Sequence, residues 1–274
     1  MNLKNLIIGT VTTVALTVQA AAVTVRGSDS MLIMNQRLAE AFGSKTGGNV
    51  NVTGGGSSIG ITAFINGVAD IAASSRPIRA REIKSAQSRN AIANVIPVAL
   101  DGLAIGVNKD NPIKSISMDQ LRQIYVGQIT NWSQLGGSNS PIVVFSRDSN
   151  SGTYGFFQQV VLKNQNWGKG VRFMPSTQDE IREVTKTAGG IAYGGVAYFK
   201  NKPGVKIVPV TPKAGAAPVA PTEENVRSKK YPIWRYLYFI TNGKPSGETK
   251  KFVDFALSAQ GQKIIEEVGY YSIK

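Results

Sequence analysis

The sequence predicts an α/β fold built from open sheets with helices packed on their faces. Three observations carry that prediction. Residues 23–73 read as strand, loop, helix, strand, loop, helix, strand, which is the order an open α/β sheet produces. Residues 142–145 are an apolar, β-branched-rich run that gives way to helical spacing at Phe156, Phe157, Val160 and Val161. The apolar run 95–107 is too long for one ordinary strand. Together with the strongly β-forming run 234–241 it makes a candidate pair of crossings between two domains. A chain of 274 residues is long enough for two modest domains and a sizeable core.

Taken in order, residues 23–26 are a short strand leading into Gly27-Ser28-Asp29-Ser30-Met31. Met34, Leu38, Ala41 and Phe42 mark one face of a helix that ends at Gly43 or at Gly47-Gly48. Residues 49–53 alternate as a second strand and run into Gly54-Gly55-Gly56-Ser57-Ser58-Ile59-Gly60. Ile61, Phe64, Ile65 and Val68 share the face of the next helix. Residues 69–73 are a third strand, followed by Ser74-Ser75-Arg76-Pro77. Residues 82–89 read as a polar helix, and 118–125 as a helix with Leu121, Ile124 and Tyr125 inward. Asn131-Trp132 with Leu135-Gly136-Gly137 reads as a loop, and 173–188 is mixed. Ile191, Ala192 and Tyr193 make a short strand between glycines, and 205–210 makes another. Residues 211–230, rich in Pro, Ala and Lys, read as an exposed loop. Residues 252–257 and 264–268 close the chain as one amphipathic helix bent near Gly261.

Residues 146–153, Ser-Arg-Asp-Ser-Asn-Ser-Gly-Thr, are read as the loop between a strand and a helix start. They hold one cation, Arg147, and the hydroxyls of Ser149, Ser151 and Thr153. Gly152 lets a ligand approach the backbone closely. N–H groups at a helix start favour negative charge, and an arginine fork matches a tetrahedral oxyanion. The same residues also fit a plain helix cap beside a surface arginine. In open α/β sheets ligands bind beyond the strand C-termini. The loops carrying Ser30, Ser57 and Ser75 lie on that edge. The glycine-rich stretch 54–60 lacks a P-loop lysine and dinucleotide spacing, so by itself it reads as a flexible turn.

Composition narrows the chemistry. Lys+Arg total 31 against 17 Asp+Glu, a net charge of +14, yet the basic residues are scattered. Small anions therefore rank above nucleic acid as partners. Histidine and cysteine are both absent, which excludes a Ser-His triad, imidazole bases, thiolate chemistry, disulfides and a lipidated cysteine. No cofactor or metal is implied. Lys4, an apolar run from Leu6 to Val18 and the small residues Ala20, Ala21 and Ala22 have the form of a secretory signal. At about 13 residues, the run falls short of the roughly 20 that span a bilayer.

With these pieces in place, the chain resembles the phosphate-binding proteins of bacterial ABC uptake systems. Gly27-Ser-Asp-Ser-Met31, Gly56-Ser-Ser-Ile-Gly60, Ala69-Asp-Ile-Ala-Ala-Ser-Ser-Arg76 and Arg147 through Thr153 carry the resemblance. Tyr231-Pro-Ile-Trp-Arg235, Gly261-Gln262 and Gly269-Tyr270 add to it. It implies a type II periplasmic-binding fold of two lobes, each an open α/β sheet, with the ligand in the cleft. The expected parts are a signal peptide at 1–22, one lobe from 23–98 plus 236–274, and the other from 99–235. The implied phosphate ligands are Ser30, the Met31 N–H, Ser57 and Ser75 from one lobe. Arg147, Ser151, the Gly152 N–H and Thr153 come from the other.

Family members place an aspartate, which accepts the proton of hydrogen phosphate, where this chain has Ser75. Asp29 is the nearest candidate acceptor in sequence; Asp148 is weaker, since it can pair with a neighbouring arginine. The implied protein is a monomeric periplasmic receptor that hands phosphate to a membrane permease and is not an enzyme. A receptor for sulfate or molybdate is the alternative.

Overall fold

A computed structural model describes residues 22–274, so the expected secretion signal lies outside the described residues except for Ala22. β1 (Val23–Gly27) leads through a 3-10 turn at Asp29–Met31 into α1 (Leu32–Thr46). β2 (Val50–Thr53), α2 (Ser57–Ile65) and β3 (Ile71–Ser74) follow, with β1 pairing in parallel with both β2 and β3. α1 buries Met34, Leu38 and Phe42 at four-residue spacing, the face the sequence marks. α3 (Ala80–Gln87) then leads to β4 (Ala93–Asn108).

The second part of the chain is built from β5 (Ile116–Ser117), α4 (Met118–Tyr125), a 3-10 turn at Trp132–Leu135 and β6 (Val143–Arg147). These lead to α5 (Gly152–Val160), β7 (Arg172–Met174), α6 (Thr177–Lys186), β8 (Gly190–Gly195) and α7 (Val196–Phe199). β9 (Val205–Ile207), β10 (Val210–Thr211) and α8 (Glu223–Arg227) precede β11 (Trp234–Asn242), and α9 (Gly247–Leu257) and α10 (Ala259–Val268) end the chain.

The strand order is β2-β1-β3-β11-β4-β8-β6-β7, with β9 also paired to β4. β4 is one strand of 16 residues. Its first part pairs antiparallel with β11, and from Leu103 it pairs with β8. The long apolar run is therefore a crossing, as its length suggests. Pro97 is tolerated because there β4 pairs only with β11, next to a shift of register at Leu237/Tyr238. The apolar core divides along the same strands. Ala99 and Leu237 belong to a core with Val25, Leu38 and Phe252. Leu100 belongs to another with Ile105, Phe157 and Tyr193, against which Tyr236 also packs.

Several local readings need correction. Residues 146–153 are not all loop: Ser146 and Arg147 pair in register with Phe173 and Met174, and α5 begins at Gly152. Helical spacing alone misses that start, because the Ser151 side chain caps the helix by accepting from the N–H groups of Thr153 and Tyr154. Residues 211–230 are not a plain exposed loop. Thr222 caps α8, which buries Val226, and Val219 bridges to Val210. The run 205–210 divides into β9 and β10. The terminal helix is two helices, broken at Ser258 rather than bent at Gly261. Ser258 is extended (φ −71°, ψ 164°), and its hydroxyl accepts from the Gly261 N–H.

A buried ion pair stiffens the turn after β3. Arg76 is 3% exposed and donates to both carboxylate oxygens of Glu82 at 2.9 and 2.7 Å. Glu82 also accepts from the Arg79 N–H at 2.8 Å. Burial raises the Glu82 carboxyl, but these hydrogen bonds and the nearby guanidinium groups outweigh it and hold it below its ordinary value. A depressed carboxyl stabilises the fold above the unfolded-state value, and that stability is lost as pH falls through the folded one. Glu82→Gln should cost about 1.5–3 kcal/mol near neutral pH. Thermal unfolding across pH should show the gap closing below about pH 4.

Candidate functional site

The C-terminal ends of β1, β3 and β6 and the N-terminal ends of α2 and α5 converge between the two parts of the sheet. Ser30, Ser57, Ser75 and Thr153 are each no more than 1% exposed there. Ser30 Oγ lies 2.8 Å from Thr153 Oγ1, and Ser57 Oγ lies 3.3 Å from Ser75 Oγ. The Ser75 N–H donates to Ser57 Oγ at 3.0 Å. Ser151 has its side chain engaged as the α5 cap. Ser149 is exposed and stands apart from this cluster. The Met31 N–H donates to the Ser28 carbonyl at 3.0 Å within the 3-10 turn.

Two glycines let the surfaces meet. A Cβ at Gly152 would stand 2.2 Å from Ser57 Oγ and 2.6 Å from Ser75 Oγ. Gly56 has φ +108°, and a Cβ there would be 2.5 Å from the Asn150 carbonyl oxygen. That carbonyl accepts from the Ser58 N–H at 3.1 Å, so the α2 start and the loop before α5 are bonded to one another.

Arg147, 1% exposed, reaches the hydroxyl cluster only through Asp29, the residue before Ser30. Its Nη2 donates to Asp29 Oδ2 at 2.6 Å and to the Pro175 carbonyl at 2.8 Å, and its Nη1 donates to Thr177 Oγ1 at 3.0 Å. Asp29 Oδ1 accepts from the Gly55 N–H at 2.8 Å. Asp148 instead accepts from the Asn150 N–H in its own loop at 2.9 Å. The acid that faces Arg147 is therefore Asp29, not Asp148. As a proton acceptor, Asp29 would have to use lone pairs that Arg147 and Gly55 leave over.

Sequence reasoning missed a second buried cation. Arg235 on β11 donates from Nη1 to Thr153 Oγ1 and to the Ser75 carbonyl, each at 3.0 Å. Its partner is Asp101, fully buried on β4. A signal existed: Asp101 is the lone acid within one apolar run, and Arg235 falls in phase with buried Ile233 and Leu237. Thr177 and Glu180 on α6 were missed too, and nothing in their amphipathic helix marks them. Neither Glu180 carboxylate oxygen has a hydrogen-bond partner. Burial pushes this carboxyl well above its ordinary value; Arg147 pulls it down and Asp179 pushes it further up.

Buried hydroxyl donors beside two guanidinium groups suit a compact oxyanion. No group of three or more acidic residues that could hold a metal exists among the described residues. Two sheet regions that share crossing strands, with a buried polar cluster between them, define a two-lobe binding protein. The chain belongs to the PBP superfamily, whose domain model matches residues 12–260. It is 33% identical over 268 residues to the protein SphX of Synechococcus elongatus, covering 92% of this chain and 77% of that one. The phosphate-binding protein PstS of Pseudomonas aeruginosa is 30% identical over 239 residues, covering 81% and 73%. Among solved structures, a phosphate-bound protein of Clostridium perfringens, assigned as the substrate-binding protein of a phosphate ABC transporter, is 30% identical. It superposes with a TM-score of 0.83 over 93% of this chain and 100% of that chain.

Gly152→Ala should prevent the two surfaces from meeting, because its methyl group would fall on Ser57 and Ser75. Solution scattering should report a larger radius of gyration for the variant than for the parent; identical curves would mean that the surfaces adjust. Glu180 titrates in the opposite sense to Glu82. A carboxyl raised by folding holds its proton, so its contribution falls as pH rises from the unfolded-state value towards the folded one. The melting temperature of Glu180→Gln relative to the parent should therefore climb between about pH 5 and pH 8.

Proposed function

We propose that this protein captures inorganic phosphate between its lobes and delivers it to an ABC-type permease in the membrane. The observation that carries this reading is the buried cluster of Ser30, Ser57, Ser75 and Thr153 beside Arg147. It sits in a chain 30% identical to a phosphate-binding protein. Phosphate would take the hydroxyls of Ser30, Ser57, Ser75, Ser151 and Thr153, the N–H groups of Met31 and Gly152, and the Arg147 guanidinium. Asp29 would be the carboxylate that accepts the proton of hydrogen phosphate. The Ser75 oxygen can accept a hydrogen bond but does not repel a fully ionised anion, so Asp29 would carry the discrimination against sulfate.

The lobes would be 23–98 plus 236–274 and 99–235, a division supported by the change of core along β4 and β11. Periplasmic binding proteins are a standing example of hinge closure around a ligand, and the two crossing strands are where this chain would bend. The protein would act in the periplasm as a monomer, binding rather than transforming its ligand and making no use of nucleic acid. No helix among the described residues is long and apolar enough to cross a membrane.

Calorimetric titration with phosphate and sulfate tests this reading. The protein should bind phosphate and be compacted by it, and sulfate should compete weakly. Arg147→Lys keeps the charge but loses the fork, and should weaken phosphate by about ten- to a hundred-fold. Asp29→Asn should shift the selectivity towards sulfate. Absence of phosphate binding, or tighter binding of sulfate or molybdate, would overturn the assignment.

A further inference from the structure

Asp101 and Arg235 are register partners on β4 and β11, at the point where both strands pass from one part of the sheet to the other. Arg235 Nε donates to Asp101 Oδ2 at 2.8 Å, and Nη2 lies 2.7 Å from the same oxygen. Asp101 Oδ1 accepts from the Val196 N–H at 3.1 Å. The pair is thus tied to α7 as well as to both crossing strands. From this anchored position Arg235 Nη1 reaches Thr153 Oγ1 at the start of α5 and the Ser75 carbonyl after β3.

The direction of these bonds has a consequence for the hydroxyls. A guanidinium can only donate, so Thr153 Oγ1 accepts from Arg235. The single hydroxyl proton of Thr153 must then point elsewhere. It has Ser30 Oγ at 2.8 Å, and a bound anion would offer it an acceptor instead. Arg235 also pins the Ser75 carbonyl, and the N–H of that residue donates to Ser57 Oγ. Ser57 Oγ, engaged as an acceptor there, keeps its own proton to donate.

We propose that Arg235, held by Asp101, is a positioning residue for the anion. It sets Thr153 and Ser57 as donors and ties that arrangement to the crossing strands, so that ligand and closed hinge stabilise one another. The inference deepens the phosphate reading and rests on it.

A double-mutant cycle read by phosphate calorimetry tests it. Arg235→Lys and Thr153→Val should each weaken phosphate about tenfold, the effect of one charge-assisted hydrogen bond. The double variant should lose little more than either single change, because Arg235 acts through Thr153. Thr153→Ser, which keeps the hydroxyl, should lose less affinity than Thr153→Val. Parent protein that binds no phosphate removes the phosphate reading, and this role with it. Parent that binds while Arg235→Lys matches it, or a double variant weakened about a hundredfold, removes the role of Arg235 alone.

A second readout needs no variant. Exchange of the Arg235 guanidinium protons, assigned by NMR through the side-chain carbons, should slow at least about tenfold when phosphate saturates the parent. Unchanged exchange would overturn the proposal even if Arg235→Lys did not fold.

Discussion

The ion pair between Asp101 and Arg235 sits where everything else in this fold has to meet. Both residues are almost fully buried, and both lie on strands that serve the whole molecule. Removing either partner would leave a charge without compensation in the interior, a far larger penalty than the net worth of the pair. The pair also fixes geometry. It matches β4 to β11 in register, reaches α7 through Val196, and fixes Thr153 and Ser75 relative to one another. Nε and Nη1 of the guanidinium are each directed at a defined group, which offsets part of the cost of burying the charge.

The same device recurs around the hydroxyl cluster. Arg147 is matched by Asp29, and Arg76 by Glu82. Each guanidinium is balanced locally, and the serines and Thr153 between them supply directional donors. The contrast with the apolar interior is marked. Each part of the sheet has its own hydrophobic core, whereas the surfaces that meet between them are joined by hydroxyls, an ion pair and backbone hydrogen bonds. Polar contacts of this kind have good alternatives in water. Parting the two sides along these contacts would expose polar groups rather than a core.

Much of the fold was legible because its signals are local. Alternation and helical spacing located β1, α1, β2, α2 and β3, and the sheer length of β4 marked it as a crossing. The missed or misplaced features depend on side chains bonding to distant or unexpected partners. Ser151 advances the start of α5 by capping it. Ser258 breaks a continuous apolar pattern by capping α10. The candidate site was legible in its hydroxyls, which stand at strand ends and helix starts, and in Arg147, the last residue of β6. Arg235 was hidden because it is a strand residue, and its importance comes from Asp101, 134 positions away. The pairing of Asp29 with Arg147 spans 118 positions and was equally invisible.

β11 lies between β3 and β4 in the sheet, although it is made of residues 234–242. The first part of the sheet therefore cannot close during synthesis until nearly the whole chain exists. β1, β2 and β3 can associate early, but their link to β4 must wait for a strand from close to the C-terminus. Contacts of such long sequence separation form slowly, because distant segments must first be brought together. A newly made chain is thus held in an incomplete state by its own topology. The strand that carries Arg235 is thus the one for which the sheet has to wait.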